Sequence, residues 1–437
     1  MLRAAFNGNT TSATFLPDIK CLIMKYVIFL LFVLFSFSAK SQQALHLNLQ
    51  QLDSLFLEHN LILLAQQYNI SIQDALIIQA KAYPNPIFTA DINARDPQNN
   101  KDFHVGNTGQ KAFSVEQLII LGGKRRAEIN IARQNKKIAE LEFDDLLRNL
   151  SYQLRSSFFS LYQQKSVLEK FDRQLQVLDT LIASYETQAQ RGNLPLKDVI
   201  RLKSVYLKIN NDKSELATEN FDEQRKMQQL LQSDQYVVPL VSNQDFETYN
   251  SAKDFEEIKE IALESRPDLK ISNEQNALAL LNVHLQKSLA IPDVALNSSY
   301  DQRGGAFNNQ INVGLSIPLP VWNFNRGNIK AAEFSEQSSQ LYQQQKKKEV
   351  ETEVRAAWQN MNLSITEYNK VKLYYSDEFD LIFRGINENF QKRNISILEF
   401  VDFFESYNES QSEYERVKNF LVKSAMQINY VTASKIY

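Results

Sequence analysis

Catalysis or metal binding needs nucleophiles, bases or ligands at workable spacing, and this chain offers few of them. Gly122-Gly123-Lys124-Arg125 comes nearest to a phosphate cradle. It lacks the Gly-x-x-x-x-Gly-Lys-Ser/Thr spacing that wraps backbone N–H groups around a phosphate, so its glycines are read as turning the chain from strand to helix. The four histidines, His46, His59, His104 and His284, are isolated from one another and from acids at ligand spacing. They read as solvated or hydrogen-bonded side chains rather than metal ligands. A single cysteine, Cys21, excludes a disulfide framework and a thiolate cluster. No nucleophile–base pair stands out, so the expectation is a protein that is not an enzyme and has no cofactor and no metal site.

Composition narrows the class further. Across 437 residues, 48 Lys and Arg against 51 Asp and Glu leave a net charge of -3, which disfavours a nucleic-acid binder. The 43% hydrophobic share, with 27 Phe and 18 Tyr, disfavours a disordered chain. A mean hydropathy of -0.37 argues against a helical membrane protein. It does not argue against a membrane β-barrel, whose strands are half polar.

From Met24 a short basic start, an apolar run from Tyr26 to Phe37 and a small-residue exit at Ala39-Lys40-Ser41 read as a secretory signal peptide over residues 24–41. Residues 1–23 then read as an over-extended gene start, and the mature chain from Gln42 carries no cysteine.

Gly and Pro are absent between Lys124 and Arg191, and again from Asn328 to Arg384, which predicts two long uninterrupted helices. At 1.5 Å per residue each would reach on the order of 90–100 Å, and so needs partners along its length. Leu147, Leu150, Leu154, Ser157, Leu161, Gln164, Leu168, Phe171, Leu175, Leu178, Ile182, Tyr185 and Ala189 step by three and four, a heptad seam. A weaker seam runs through Val350, Val354, Ala357, Met361, Ser364, Tyr368, Val371, Tyr375 and Ile382. Shorter helices are expected over Ala44 to Ala82, Leu196 to Leu231, Phe255 to Ala290 and Ile397 to Val431.

Two regions change to period two. Phe88, Ala90, Ile92 and Ala94 alternate with Thr89, Asp91, Asn93 and Arg95, and after a polar loop Phe113 and Val115 alternate with Ala112, Ser114 and Glu116. Val294, Leu296, Ser298 and Tyr300 alternate with polar neighbours, turn at Gly304-Gly305, and are followed by Ile311, Val313, Leu315 and Ile317 against Gln310, Asn312, Gly314 and Ser316. Four such strands cannot close a barrel, since the smallest closed barrels need about eight. The chain is therefore expected to oligomerise, with a polar inner face and an apolar outer face in a membrane.

The halves also echo each other. Gln190 to Val199 lines up with Gln391 to Phe400, Ala82-Tyr83-Pro84-Asn85 with Ala290-Ile291-Pro292-Asp293, and Gly122 to Arg125 with Asn325 to Asn328. This predicts a tandem repeat of helix, hairpin, long helix, turn and helix: residues 42–230 and 255–437 around an equatorial linker over 231–254.

These residues resemble the TolC family of outer-membrane efflux proteins, and most of all its CzcC/CusC-like branch. The resemblance rests on Ala82 to Pro86, on Gly122 to Arg125 and on Arg266-Pro267-Asp268-Leu269. It implies a homotrimer whose twelve-stranded β-barrel in the outer membrane, four strands per chain, continues into a coiled-coil helical barrel across the periplasm. It implies a periplasmic adaptor (membrane fusion) protein, an inner-membrane pump of RND type and outer-membrane lipid as partners, and no nucleic acid. Carried over residue by residue, Glu399 and Asp402 match the family's ring of pore carboxylates and Asp198 the acid of its inter-helix lock. The lock's basic partner falls on Ile395 and its tyrosine on Phe390, so this chain departs from that pattern, with Arg191, Lys392 or Arg393 as substitutes. The turns at Arg191, Gly192, Asn193 and Leu194 and at Arg393, Asn394, Ile395 and Ser396 are where family members meet the adaptor. The function implied is a passive efflux duct, with heavy-metal cations as one cargo. A drug-efflux or type I protein-secretion duct, or a secreted coiled-coil structural protein, are the alternatives.

Overall fold

A computed structural model describes residues 44–304, 306–375 and 378–437. The expected start and signal segments over 1–23 and 24–41, with Cys21, and the turn residue Gly305 lie outside the described residues. In chain order the elements are β1 (Leu45–Leu47), α1 (Leu49–His59), α2 (Leu61–Lys81), β2 (Ile87–Ile92), β3 (Arg95–Asp96), β4 (Lys101–Asp102), β5 (Gln110–Ile119), α3 (Lys124–Gln190) and α4 (Leu196–Leu231). They continue with β6 (Val237–Pro239), α5 (Asn243–Thr248), α6 (Phe255–Ser265), α7 (Pro267–Leu289), β7 (Val294–Arg303), β8 (Phe307–Ser316), α8 (Arg326–Tyr374), α9 (Glu378–Gln391) and α10 (Ile397–Thr432). The fold is mainly helical, with one four-stranded sheet and two short two-stranded pairings.

The first long helix forms as its sequence predicts: α3 is 67 residues long, a rod of roughly 100 Å. Leu150, Leu154, Ser157, Leu161, Gln164, Phe171, Leu175 and Leu178 of its seam are buried. The second does not run through. Helix α8 stops at Tyr374, Tyr375 takes an extended conformation (φ -98°, ψ 101°), and α9 resumes at Glu378. The seam shows why. Val350 through Tyr368 are buried in step, but Ile382, the expected continuation, is 48% exposed. Past the break Phe383, Ile386 and Phe390 face the core instead, one residue out of phase, and a helix cannot absorb that shift without a local change of winding.

Two other expected helices are also interrupted. Leu45–Leu47 is a strand paired in parallel with Val237–Pro239, and the segment 231–254 contributes that second strand and a short helix. Asn60, 1% exposed, separates α1 from α2: its Oδ1 accepts from the N–H groups of Ile62 and Leu63, and its Nδ2 donates to the Leu230 carbonyl at 2.9 Å. Pro267 at the first position of α7 forces Arg266 into an extended conformation and divides the helix expected over Phe255 to Ala290.

The sheet runs β2-β5-β7-β8, antiparallel throughout. The two hairpins are thus joined side by side through β5 and β7. Strand β2 is shorter than expected, because Arg95–Asp96 pairs with Lys101–Asp102 in a separate ribbon. Two apolar cores lie below the sheet. One surrounds Leu150 to Leu161 of α3 with α1, α6, α8 and the C-terminal part of α10; the other joins Val167 to Leu181 of α3 with α4, Phe390, and Phe400 to Phe404.

Candidate functional site

Opposed residues in an antiparallel pair share a face, so the register sorts the sheet into rows. Phe88, Val115, Ser298 and Val313 form one row, and Ala90, Phe113, Tyr300 and Ile311 the next. The opposite face carries Thr89, Ser114, Ser299 and Asn312, then Ile87, Glu116, Asn297 and Gly314. The first face is apolar and uncovered within the chain: Phe88 is 66%, Ile311 74% and Val313 83% exposed. Phe88 stacks on Phe113 at 6.3 Å, and Phe113 on Tyr300 at 6.2 Å, across three strands. Where β8 gives way to α8, Trp322 stands 94% exposed. An exposed Trp at the end of an apolar strand band is the arrangement found at a membrane–water interface.

The residues that looked like a phosphate cradle instead fix the strand-to-helix junction. Lys124 is 6% exposed, and its Nζ lies 2.7 Å from Asp293 Oδ1, which also accepts from the Leu121 N–H at 2.9 Å. Arg125 donates to the Lys81 carbonyl and lies 4.0 Å from the centre of the Tyr83 ring. Gly122 has φ +71°, and a Cβ there would sit 2.9 Å from Ile291 Cβ, so no side chain fits. The junction therefore clamps the two strand entrances, Ala82 to Pro86 and Ala290 to Asp293, to the head of α3.

Arg266-Pro267-Asp268-Leu269 forms a buried ionic knot. Arg266, 2% exposed, binds Asp268 and Glu353, while Arg148 and Lys346 also approach Asp268 at 3.6 Å and 3.2 Å. Burial opposes ionisation of Asp268, but the hydrogen bonds and charge of Arg266, with the charges of Arg148 and Lys346, outweigh it and hold the carboxyl well below the usual range. The knot ties α7 to α3 and α8. Its role is positional.

At the far end, the two turns share one geometry. Gly192 and Arg393 both have positive φ, +75° and +65°. Asn193 N–H donates to the Gln188 carbonyl and its Nδ2 to Gln188 Oε1 at 2.8 Å; Asn394 N–H donates to the Asn389 carbonyl and its Nδ2 to Asn389 Oδ1 at 3.0 Å. Leu194 is half-buried, whereas Arg191, Asn193, Arg393 and Asn394 are exposed. The helices that follow are capped differently. Pro195 starts α4 without a side-chain bond, while Ser396 and Glu399 form a reciprocal capping box on α10.

The carboxylates singled out from sequence divide between two helices. Glu399 and Asp402 lie three residues apart on an exposed face of α10, and Glu399 accepts from the Ser396 N–H at 2.8 Å. The Ser396 backbone and hydroxyl bonds hold the Glu399 carboxyl below the ordinary carboxylate range. Asp198 is half-buried in the first turn of α4. Among the described residues, Arg191, Lys392 and Arg393 make no ion pair with Asp198; Lys392 pairs with Glu388 at 3.8 Å. Asp198 acts instead on Tyr185, whose hydroxyl pKa is raised by burial and by the Asp198 charge and lowered in part by Arg393.

The tip is joined by a column of aromatic rings. Tyr185 stacks on Phe390 at 5.3 Å, Phe390 on Phe400 at 4.1 Å, Phe400 packs on Phe404 at 5.5 Å, and Phe383 packs against both Phe404 and Tyr407. Phe390, aligned with the tyrosine of the lock, is 1% exposed and central to this column, and Ile395 packs against its edge. The signal was present in Phe400, Phe404 and Tyr407, which recur at one helix face.

Among the described residues no group of three or more His, Cys, Asp or Glu side chains is placed to hold a metal. His104 is buried, with Nδ1 at 2.7 Å from Asp96 and Nε2 at 2.9 Å from Thr108 Oγ1.

A four-stranded sheet with a bare apolar face, carried on helices of this length, has the fold of the outer-membrane channel proteins. Among solved structures, CusC superposes with a TM-score of 0.71 at 17% identity, covering 88% of this chain and 92% of CusC. The CmeC outer-membrane channel of Campylobacter jejuni gives a TM-score of 0.71 at 13% identity over 89% of this chain and 86% of CmeC. The open-state MtrE outer-membrane channel of Neisseria gonorrhoeae gives 0.61 at 14% identity over 91% and 94%. No protein-family model and no curated protein matches this chain in sequence.

Proposed function

We propose that this chain is a TolC-family outer-membrane channel subunit, a passive exit duct for cargo delivered by an inner-membrane pump of RND type through a periplasmic adaptor. The observation that carries the reading is the sheet: four strands with both edges open and an uncovered apolar face. Three copies would supply three times four strands, enough to close a barrel and remove every free edge in lipid. The stacked rings and Trp322 would then meet the outer-membrane lipid, and α3, α4, α8, α9 and α10 would continue the wall into the periplasm. In this reading residues 24–41 are a signal peptide and the two repeats, 42–230 and 255–437, each supply one hairpin.

Within the same reading, Arg191 to Leu194 and Arg393 to Ser396 are the adaptor contacts, and Glu399 with Asp402 forms a carboxylate ring that favours cations. Phe390 and Ile395 support the ring from behind as part of the aromatic column, and Asp198 braces it through Tyr185. Heavy-metal cations are the cargo suggested by the motif resemblance. Purified protein reconstituted in planar bilayers should be trimeric and conduct ions, and Glu399→Gln with Asp402→Asn should lower its cation preference. A monomer without conductance overturns the duct, and an unchanged cation preference removes both residues from the constriction.

A further inference from the structure

A cleft of about 550 Å³ opens between α3, α4 and α10 beside the start of α2, within the range of small-molecule sites. Buried Leu150 and half-buried Leu230 give it an apolar wall, which the exposed Ile62 extends toward solvent. Three charged side chains line it: Glu223, Lys226 and Lys423. Glu223 is already committed, one carboxylate oxygen accepting from the Ser157 hydroxyl at 2.5 Å and the other from Lys226 Nζ at 2.7 Å. Lys423 is left over. It is half-buried and, among the described residues, makes no hydrogen bond and no ion pair, yet its ammonium is not sealed from solvent.

The charges that act on this ammonium fix the side it faces. Burial lowers the Lys423 pKa, the Glu223 charge opposes that shift and the Lys226 charge adds to it, and both of those groups belong to this cleft. Glu353 also neighbours Lys423, in a hollow beside α8, but it is held by Arg266. With Glu223 offset by Lys226, the cleft keeps one uncompensated positive charge. Withdrawing a charge from water without a counter-ion is costly, and an anion bound here supplies what none of the described residues does. Gln153 on α3 and Gln229 on α4 add side-chain amides that are exposed and without a hydrogen bond among the described residues.

We infer that this cleft binds small amphiphilic carboxylates: the carboxylate on Lys423 Nζ, the Gln153 and Gln229 amides as further donors, and an apolar body along Leu150, Leu230 and Ile62. The head gains a charge-assisted hydrogen bond where the chain leaves a cation without a partner, and the body displaces water from apolar surface. The site is built within one chain. It therefore stands apart from the duct reading, and a conducting trimer could lack it.

The test uses the full chain in lipid nanodiscs at pH 7 with 2-naphthoate, read by titration calorimetry and by acetylation footprinting with peptide mass spectrometry. Saturable binding is expected, and it should protect Lys423 from acetylation while leaving the exposed Lys435 unprotected. Lys423→Gln should weaken binding ~10-fold and Lys423→Arg far less, while Gln153→Ala with Gln229→Ala should weaken it several-fold. Uncharged 2-naphthamide should neither match the acid in binding nor protect Lys423. Absence of saturable binding, binding that leaves Lys423 unprotected, equal binding of the amide, or binding unchanged by Lys423→Gln or by the paired glutamine substitution overturns the site. Because Gln153 and Gln229 are exposed, their substitution tests the site even if a change at Lys423 disturbs packing.

Discussion

The Arg266 guanidinium closes on the carboxylate of Asp268, two residues along the same chain, through Nε at 2.9 Å and Nη2 at 2.6 Å, while Nη1 meets Glu353 at 2.5 Å. Each guanidinium nitrogen of a buried arginine thereby makes a bond to a carboxylate, which makes the knot sensitive to losing one partner. Asp268→Asn is expected to destabilise the chain by about 3 kcal/mol, because it removes the carboxylate that Arg266, Arg148 and Lys346 share and leaves Arg266 only Glu353. Urea unfolding of the two proteins at pH 7 measures it.

The same knot sets an acid limit. The Asp268 carboxyl is held below its usual range in the folded chain, so its contribution is complete above the unfolded value of about 3.9 and is lost as pH falls from there toward the folded value. Stability should be flat with respect to this group from pH 7 to pH 5 and should drop below about pH 4. Asp268→Asn should show a smaller drop over that acid window.

The matched turns respond in opposite directions. Gly192 and Arg393 both hold left-handed backbone, a conformation that costs residues with a Cβ roughly 1 kcal/mol. Gly192→Ala should therefore destabilise the α3–α4 hairpin, whereas Arg393→Gly should stabilise the α9–α10 hairpin. Thermal unfolding midpoints of the two variants should move to opposite sides of the parent.

Phe400 is sandwiched between Phe390 and Phe404 at the centre of the tip. Phe400→Ala is expected to cost about 3–5 kcal/mol, concentrated where α9 rests on α10. Limited proteolysis between Gln391 and Ser396 should accelerate in this variant, while cleavage near the sheet should not.

The two tryptophans provide a depth gauge. Trp322 is 94% exposed beside the sheet, while Trp358 donates its indole N–H to the Lys253 carbonyl at 2.9 Å in the helical body. If the sheet lies in lipid as proposed, a Trp358→Phe variant in proteoliposomes with brominated acyl chains should lose about half its fluorescence or more, since Trp322 then reports alone. A Trp322→Phe variant should be quenched little.

Much of this architecture is legible in the residue order, for identifiable reasons. The 67-residue helix α3 follows from an unbroken seam without Gly or Pro, and the sheet faces follow from strict alternation, because period two leaves one choice of face. What escaped was encoded as interruption. The break at Tyr375 has no Gly or Pro to announce it and becomes visible only in the one-residue phase slip from Ile382 to Phe383. The turn at Arg393 hides a left-handed residue behind a type that rarely adopts it. At the tip, the family resemblance puts Phe390 at a lock position, but a buried ring stack is a property of three helices together, and spacing along one helix does not specify it.

The β2-β5-β7-β8 sheet leaves both of its edges open. Strands β2 and β8 each offer unpaired N–H and C=O groups beside Phe88 and Val313, which are 66% and 83% exposed. Such a surface pairs readily with any other strand it meets, including the wrong one. In the proposed trimer, pairing of β2 with β8 of a neighbouring copy and burial of this face would therefore have to proceed together, because a solitary copy in water leaves both edges open to mispairing.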